Sequence, residues 1–370
     1  MSSPSSGPLD GAELTGARVR SGLAAERLGA TITVVQSVGS TMDAAAEIAR
    51  EGAPDGAVVI ADFQSAGRGR LDRTWEAPPG TALLMSVLLR PDLPRERLSQ
   101  VQMAFSLAVA DVLDAFLAEG ALRAEADDAT RRTVLKWPND VLVLGERGGK
   151  IAGLLSEVAW ADDAPRVIVG LGVNVSQEPD QLPPGATSLA VLGIANTARS
   201  SGSLQAGALS AADLRAHLAA AVLNAADANY SRLLAGESLV DQWAGRLVTI
   251  GRRVVVHTVP QAAEASSPDA QPATGVTGPS AAKPAARSPA GASGDYPGTA
   301  PGRTSLAGVA VGVAATGELQ VRTDGGDVVT VRAGDVTLAP DEGTLAPEDV
   351  PQAPSDFASA PDDADPAARS

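Results

Sequence analysis

The sequence contains no cysteine and only two histidines, His217 and His257, among its 370 residues. Without cysteine the chain has no disulfide, no thiolate metal site and no cysteine nucleophile. Two histidines leave no histidine-rich metal cluster and disfavour a Ser-His-Asp triad. A catalytic function would therefore have to rest on other side chains.

Long apolar segments are also missing. The first residues have neither the basic nor the apolar region of a secretion signal. No stretch approaches the roughly 20 uninterrupted apolar residues that a membrane span needs. The content of 44% hydrophobic and 20% charged residues is that of a globular chain. These features predict a soluble cytoplasmic protein that does not contact membranes.

Two segments lack the apolar residues of a core. Residues 260–303 have only Val276 and Tyr296 as large apolar side chains, and residues 341–370 carry eight acidic residues against one arginine. Burial cannot offset the entropy of ordering such segments, so both are predicted to be disordered. The tail supplies seven of the fifteen excess negative charges. The rest of the chain is therefore only mildly acidic.

Residues 31–245 alternate between strand and helix patterns, and tight turns join several of the strands. This favours a mixed-sheet α/β (α+β) domain over a doubly wound one. Residues 1–30 are predicted to be a flexible segment. Residues 246–340 contain about five short strand patterns on both sides of the 260–303 insertion, which predicts a small β-barrel. The predicted strands of the larger domain are 31–36, 58–64, 81–89, 133–137, 141–144, 150–158 and 167–175, and its helices 41–51, 98–119 and 210–234.

The segment QSAGRGRLDRTWEAPPG, residues 64–80, is a basic, glycine-containing loop between two predicted strands, and it is called the Arg loop below. Ligands commonly bind at such sheet ends in α/β domains. Glycines allow a close backbone approach, and arginines offer forked donors to phosphate or carboxylate. A solvated turn and a nucleic-acid contact remain alternatives for this loop alone. Its distinctive residues are Gly67, Arg68, Gly69, Arg70, Arg73 and Trp75.

Two further motifs place polar groups beside buried strands. In VLKWPNDVLV (134–143), Pro138 forces a turn that carries Asn139 and Asp140, although both could merely cap backbone groups. In GGKIAGLLSEV (148–158), Lys150 is one of only three lysines against 26 arginines. A lysine there suggests a need for a compact ammonium group, although a solvated position is the alternative. Gly170 and Gly172 in a buried strand indicate that something large lies against that strand.

The order of these motifs closely resembles that of biotin–protein ligases over roughly residues 31–245. The family loop often has a glycine where this chain has Asp72. The resemblance implies a catalytic domain of the class II aminoacyl-tRNA synthetase and biotin ligase type, with a small C-terminal SH3-like β-barrel over 246–340. About 30 residues precede the first strand, so we expect a monofunctional ligase without an N-terminal DNA-binding domain. The matching segments are Ser40-Thr41, Gln64 with the Arg loop, KWPND (136–140), KIAG (150–153) and GLGVN (170–174).

The resemblance also implies the reaction. Biotin and ATP would form biotinoyl-AMP, and the biotinoyl group would then pass to one lysine of a biotin carboxyl carrier domain of a biotin-dependent carboxylase. Lys150 and Arg68 would be the catalytic residues, with Mg²⁺ arriving with ATP and Asp140 as a candidate ligand. Biotin would contact Ser40, Thr41, Met42, Gln64, Arg68, Gly69, Arg70, Lys150 and Gly153. The nucleotide would contact Arg68, Arg70, Arg73, Trp75, Asn139, Asp140 and Asn174.

Alternatives remain open at this point. A lipoate–protein ligase follows the same two-step logic, although the pairing of the GRGR and KWPND motifs favours biotin. A nucleic-acid-binding regulator would use the Arg loop on phosphates, but no nucleic acid is expected as a partner. Either Lys150 or Asp140 could assist deprotonation of the acceptor lysine. Both a monomer and a homodimer are compatible with the sequence.

Overall fold

The computed structural model describes residues 13–71, 73–124, 131–161, 164–194, 210–258 and 304–338. Asp72, the insertion predicted at 260–303 and the tail predicted at 341–370 lie outside these residues.

A seven-stranded mixed sheet organises the larger part of the molecule, with the strand order β1-β2-β3-β7-β6-β5-β4. Strands β1 and β2 are parallel, and every other neighbouring pair is antiparallel. The mixed sheet confirms the predicted α/β class. The strands are β1 (Ile32–Val38), β2 (Ala57–Gln64), β3 (Ala82–Leu89), β4 (Thr133–Lys136), β5 (Asp140–Val143), β6 (Gly149–Ala161) and β7 (Ala164–Asn174).

Helices cover both faces of this sheet. The long helices α3 and α4 pack together against one face, and α2 packs on β2, β3 and β7 from the other. Helix α2 presents Met42, Ala45 and Ala49 at helical spacing to the sheet, and the Ser40 hydroxyl caps its N-terminus by accepting from Met42 N at 3.3 Å. The helices are α1 (Gly16–Ser21), α2 (Thr41–Arg50), α3 (Ser99–Ala124), α4 (Ala211–Leu234) and α5 (Val240–Ala244).

Helix α3 is apolar on nearly all sides. Among the described residues, the stretch Arg95–Glu119 is the one long and apolar enough to span a membrane, and an 18-residue window within it has a mean hydropathy of 1.6. Of that window, 67% is buried inside the fold. A helix enclosed by a sheet, α4 and α5 has little exposed surface, which accounts for its apolar composition.

The prediction of a flexible segment over residues 1–30 is wrong for its described part, 13–30. Helix α1 packs on α4 and buries Val19, and Leu14 and Leu28 are also buried in the main core. Asp227 of α4 accepts three backbone N–H bonds from residues 26–28, at 3.0–3.1 Å. The three buried apolar residues are separated by polar residues, so the sequence of this segment has no clear helical period from which packing could be predicted.

A second, antiparallel sheet follows, with the order β11-β10-β9-β8-β12. It confirms five short strands on both sides of the predicted insertion, although the described pairings leave β11 and β12 at opposite edges and close no barrel. It docks on the larger domain where Trp137 Nε1 donates to Gly317 O at 2.9 Å and Ser99 Oγ donates to Thr316 O at 2.7 Å. The strands are β8 (Arg253–Thr258), β9 (Thr304–Val313), β10 (Leu319–Arg322), β11 (Val328–Val331) and β12 (Asp335–Leu338).

Candidate ligand-binding pocket

A pocket lies on the α2 side of the main sheet, between the N-terminus of α2, the Arg loop and strands β5–β7. It brings together nearly all of the residues that the sequence singled out. The residues of its wall are Ser40, Thr41, Met42, Gln64, Arg68, Gly69, Arg70, Leu71, Arg73, Thr74, Trp75, Leu84, Asn139, Asp140, Lys150, Gly153, Leu154, Leu155, Gly170, Leu171, Gly172, Gly334 and Asp335.

The floor of the pocket is a trough without side chains. Gly172 of β7 is paired directly with Gly153 of β6, and Gly170 lies two residues along β7 on the same face. A Cβ at Gly172 would lie 2.4 Å from Trp75, and a Cβ at Gly170 would lie 2.6 Å from Met42. The large groups that the glycines accommodate in this structure are therefore side chains of the protein itself.

A hydrogen-bonded chain fixes one end of the trough. The buried Ser86 hydroxyl donates to Thr41 Oγ1 at 2.8 Å, and Thr41 Oγ1 donates to Gln64 Oε1 at 2.8 Å. Gln64 Oε1 also accepts from Thr41 N at 2.7 Å. Because the amide oxygen is used twice, the Gln64 amide group keeps its Nε2 donors for other partners. A ligand at this end would therefore meet the N–H donors of the Gln64 amide.

The Arg loop is a small hairpin. Trp75 N donates to Gly67 O at 3.0 Å and Gly69 N donates to Arg73 O at 2.7 Å, with Arg68 facing Thr74 as an isolated antiparallel bridge. A Cβ at Gly67 would lie 2.2 Å from the Trp75 carbonyl oxygen, so only glycine fits there. The hairpin folds across the pocket and directs Trp75 into it.

Two arginines connect this hairpin to its surroundings by ion pairs. Arg68 forms ion pairs with Glu157 of β6 at 2.8 Å and with Asp43 of α2 at 3.1 Å. Arg73 pairs with Asp335 at the start of β12. These contacts link the loop to the sheet, to α2 and to the C-terminal sheet.

Arg70 lies in the pocket without a close carboxylate partner among the described residues. Its Nη2 is 3.5 Å from the carbonyl oxygen of Gly334, a long hydrogen bond. Burial lowers the pKa of the Arg70 guanidinium, and the carboxylates of Asp335 and Asp140 oppose that shift. An arginine stays charged in proteins, so Arg70 is a partly desolvated cation that favours an anionic ligand.

Lys150 and Asp140 form an ion pair of 2.7 Å at the other end of the trough. The backbone of Lys150 is fixed on both sides, because Lys150 N donates to Gly185 O and Thr187 N donates to Lys150 O. The Lys150 ammonium also lies 5.6 Å from the centroid of the Trp75 ring, within the range of a cation–π contact. The pocket therefore combines hydrogen-bond donors at one end with the Lys150 ammonium group at the other.

Asn174 is the predicted site residue that the structure places elsewhere. Its side chain is only 5% exposed and belongs to a structural network: Nδ2 donates to Thr187 O at 3.0 Å, and Oδ1 accepts from Gln177 Nε2 at 3.0 Å. It does not line the pocket, and its contact with the nucleotide stays a prediction. Asn139 does line the pocket, although its Nδ2 donates to Leu154 O at 2.9 Å.

The sequence reasoning missed several groups around the pocket. Asp43 and Glu157 hold Arg68, Ser86 orients Thr41, and Gly334 and Asp335 come from the C-terminal sheet. Ser86 of β3 is paired directly with Gly170 of β7, and a polar residue within the otherwise apolar strand β3 was the available signal. Asp335 is 262 residues from Arg73, and no local pattern indicates such a pairing.

These features define a small-ligand pocket with anion-binding groups on one face of a mixed sheet. Residues 34–174 match the model of the Biotin/lipoate A/B protein ligase family. The N-terminus of α2, the Arg loop, Asp140, Lys150 and the glycine trough all lie within these residues.

Curated relatives match a little under half of this chain. A curated relative from Bacillus spizizenii, "Bifunctional ligase/repressor BirA", is 37% identical over 182 residues, which are 48% of this chain and 51% of the relative. "Biotin--[acetyl-CoA-carboxylase] ligase" of Mycobacterium tuberculosis is 41% identical over 166 residues, 44% of this chain and 56% of that protein. The chain thus spans about half the length of the curated relatives it matches.

A solved structure confirms the fold. The biotin protein ligase from Aquifex aeolicus, determined in complex with biotin and ATP, superposes with a TM-score of 0.53 at 20% identity. The match covers 84% of this chain and 100% of that chain. At this identity the likeness shows a shared fold.

Proposed function

We propose that the protein attaches biotin to a lysine of a biotin carboxyl carrier domain, such as that of acetyl-CoA carboxylase, in two steps that use ATP. The observation that carries the proposal is the convergence on one pocket of the Thr41–Gln64 pair, the Arg loop and Lys150. The names of the curated relatives and the family match over residues 34–174 support it.

In the first step a biotin carboxylate oxygen attacks the α-phosphorus of ATP, and pyrophosphate leaves. Two anions must approach each other, so fixed cations lower the barrier by opposing the repulsion. The cations on the pocket wall that suit this role are Arg68, Arg70, Arg73 and Lys150. No protein nucleophile is needed, in keeping with a sequence free of cysteine.

In the second step the acceptor lysine amine attacks the carbonyl carbon of biotinoyl-AMP, AMP leaves, and the amine loses a proton. Asp140 is the better-placed proton acceptor, since Lys150 is itself held as its ion-pair partner at 2.7 Å. Release of Lys150 toward the phosphate would free the Asp140 carboxylate. The Arg-loop hairpin would keep water away from the acyl phosphate between the steps.

Mg²⁺ fits this pocket as a companion of ATP. Among the described residues no group of three or more His, Asp or Glu could hold a metal alone. Mg²⁺ typically uses one or two carboxylates together with substrate phosphates, and Asp140 suits that pattern. Bound in this way, the ion would offset phosphate charge while Arg68 and Lys150 orient the reacting groups.

We also propose a domain organisation, a cellular location and a partner for the enzyme. The pairing β8–β9–β10–β11 with β12 beside β8 suits an opened SH3-like barrel, and we assign that role to the C-terminal sheet. The domains would then be a catalytic unit over 31–245 and a β unit over 246–340. We place the enzyme in the cytoplasm with the carboxylase as its partner and without nucleic acid, as a monomer or homodimer.

The direct test incubates the purified protein with ATP, Mg²⁺, biotin and a carrier domain, and then weighs the carrier. A mass gain of one biotinoyl group is expected, and it should vanish when the acceptor lysine is changed to arginine. Parallel reactions contain lipoate in place of biotin with a lipoyl domain as acceptor. Transfer of lipoate without transfer of biotin would refute the biotin assignment within the same family.

A further inference from the structure

The indole of Trp75 occupies the glycine trough. A Cβ added at Gly172 would lie 2.4 Å from Trp75 Cε2, and one added at Gly153 would lie 3.0 Å from Trp75 Cζ3. Both glycines are directly paired across β6 and β7, so the ring lies on bare backbone. No ligand chain can share this position with the ring.

The space that remains beside Trp75 is small. The cavity measures about 110 Å³. Pockets that enclose a small organic ligand usually measure about 300–1,000 Å³. The described conformation therefore has to open before a bicyclic ligand with an acyl chain can enter.

Few polar contacts hold the Trp75 indole in the trough. Lys150 lies 5.6 Å from its centroid, and the hairpin bond from Trp75 N to Gly67 O sets its direction. In addition, Trp75 Nε1 is buried and has no hydrogen-bond partner in the described part of the chain. Moving the indole out of the trough would restore a partner to this donor, because water is available at the pocket mouth.

We propose that Trp75 is an internal plug: its indole fills the Gly153–Gly172 trough, and the chain of an entering ligand displaces it. A displaced ring would move by about one layer of atoms, roughly 3.5–4 Å, and cover the chain from the solvent side. Trp75 thereby makes ligand entry dependent on the opening of the Arg-loop hairpin. The ligand half of this inference rests on the proposed function, whereas the plug itself does not.

The plug is tested without ligand by acrylamide quenching of tryptophan fluorescence. The chain has four tryptophans, so the Trp75 signal is taken as the difference between the wild type and Trp75→Phe. In the wild type this component should be protected. Gly172→Ala places a methyl group where the Trp75 indole lies and should force the indole out of the trough. In this variant the fluorescence of Trp75 should be quenched by acrylamide as readily as that of free N-acetyltryptophanamide. Gly153→Ala is a second variant with the same expectation, should Gly172→Ala fail to fold.

Gly170→Ala is the matched control. It adds the same methyl group on the same strand, but its neighbour is Met42 at 2.6 Å instead of Trp75. The quenching of Trp75 should therefore stay at the wild-type value. If folded Gly172→Ala and Gly153→Ala both keep Trp75 as protected as in the wild type, the ring does not occupy the trough and the proposal is overturned.

Displacement is tested by stopped-flow binding of biotin. For a plug that opens before binding, the observed rate in the wild type should level off at high biotin, whereas in Trp75→Ala it should keep rising linearly and exceed the wild-type rate. If biotin associates equally fast with the wild type and with Trp75→Ala, and only dissociates faster from Trp75→Ala, then Trp75 merely contacts the bound ligand. That result would overturn the displacement step. Absence of biotin binding in both proteins would instead refute the proposed function, and the quenching result would still decide the plug.

Discussion

Replacing Thr41 by valine tests the hydrogen-bonded chain that fixes the donor end of the pocket. Valine keeps the shape of threonine but removes the hydroxyl that donates to Gln64 Oε1 and accepts from Ser86, both at 2.8 Å. Gln64 then keeps only the Thr41 N–H as its anchor, at 2.7 Å. The substitution therefore loosens the Gln64 amide while leaving the backbone contact intact.

The size of the effect follows from these bonds. The loss of one hydrogen bond is worth about 0.5–1.5 kcal/mol, so the affinity for biotin should fall roughly 2- to 10-fold. Ser86 is completely buried and would lose its acceptor. An unsatisfied buried hydroxyl costs about 1–3 kcal/mol, so the free energy of unfolding should fall by a similar amount.

Calorimetric titration with biotin and urea unfolding measure the two effects separately. Thr41→Ser retains the hydroxyl and is the control, with affinity near that of the wild type. Ser86→Ala removes only the donor behind Thr41 and should have the smaller effect on affinity. If Thr41→Val binds biotin as tightly as Thr41→Ser, the chain from Ser86 to Gln64 does not shape the ligand site and the reasoning is refuted.

Three further substitutions test other parts of the structure. Lys150→Ala should abolish pyrophosphate release that depends on biotin, because the ammonium at the end of the trough is lost, and near-normal release would remove Lys150 from the catalytic residues. Arg68→Ala should shorten the retention of biotinoyl-AMP, measured by its leakage into solution, and unchanged leakage would count against a lid role. Asp62→Ala leaves the 3% exposed Arg215 unpaired and should cost about 3 kcal/mol, or a Tm lower by roughly 6–12 °C. The double change Asp62→Leu with Arg215→Met should restore most of that loss, and equal losses in the single and double variants would contradict a buried ion pair.

The sequence determined the secondary structure around the pocket because the signals there are local. Ser40 precedes α2 as its cap, the apolar runs of β2 and β3 flank the Arg loop, and a proline turn separates β4 from β5. The glycines of β7 correctly indicated that bulky groups lie on the strand. The motifs that point to the family are also read directly from the order of residues.

The tertiary structure decided which groups actually meet. Asn174 resembles a ligand-binding residue in its motif, yet Gln177 and Thr187 engage its side chain because β7 ends beside them. Asp335 reaches Arg73 across 262 residues, and Trp75 lies on glycines from two other strands. Such contacts depend on strand register and domain docking, which bring distant residues together, whereas residue patterns report only on neighbours along the chain.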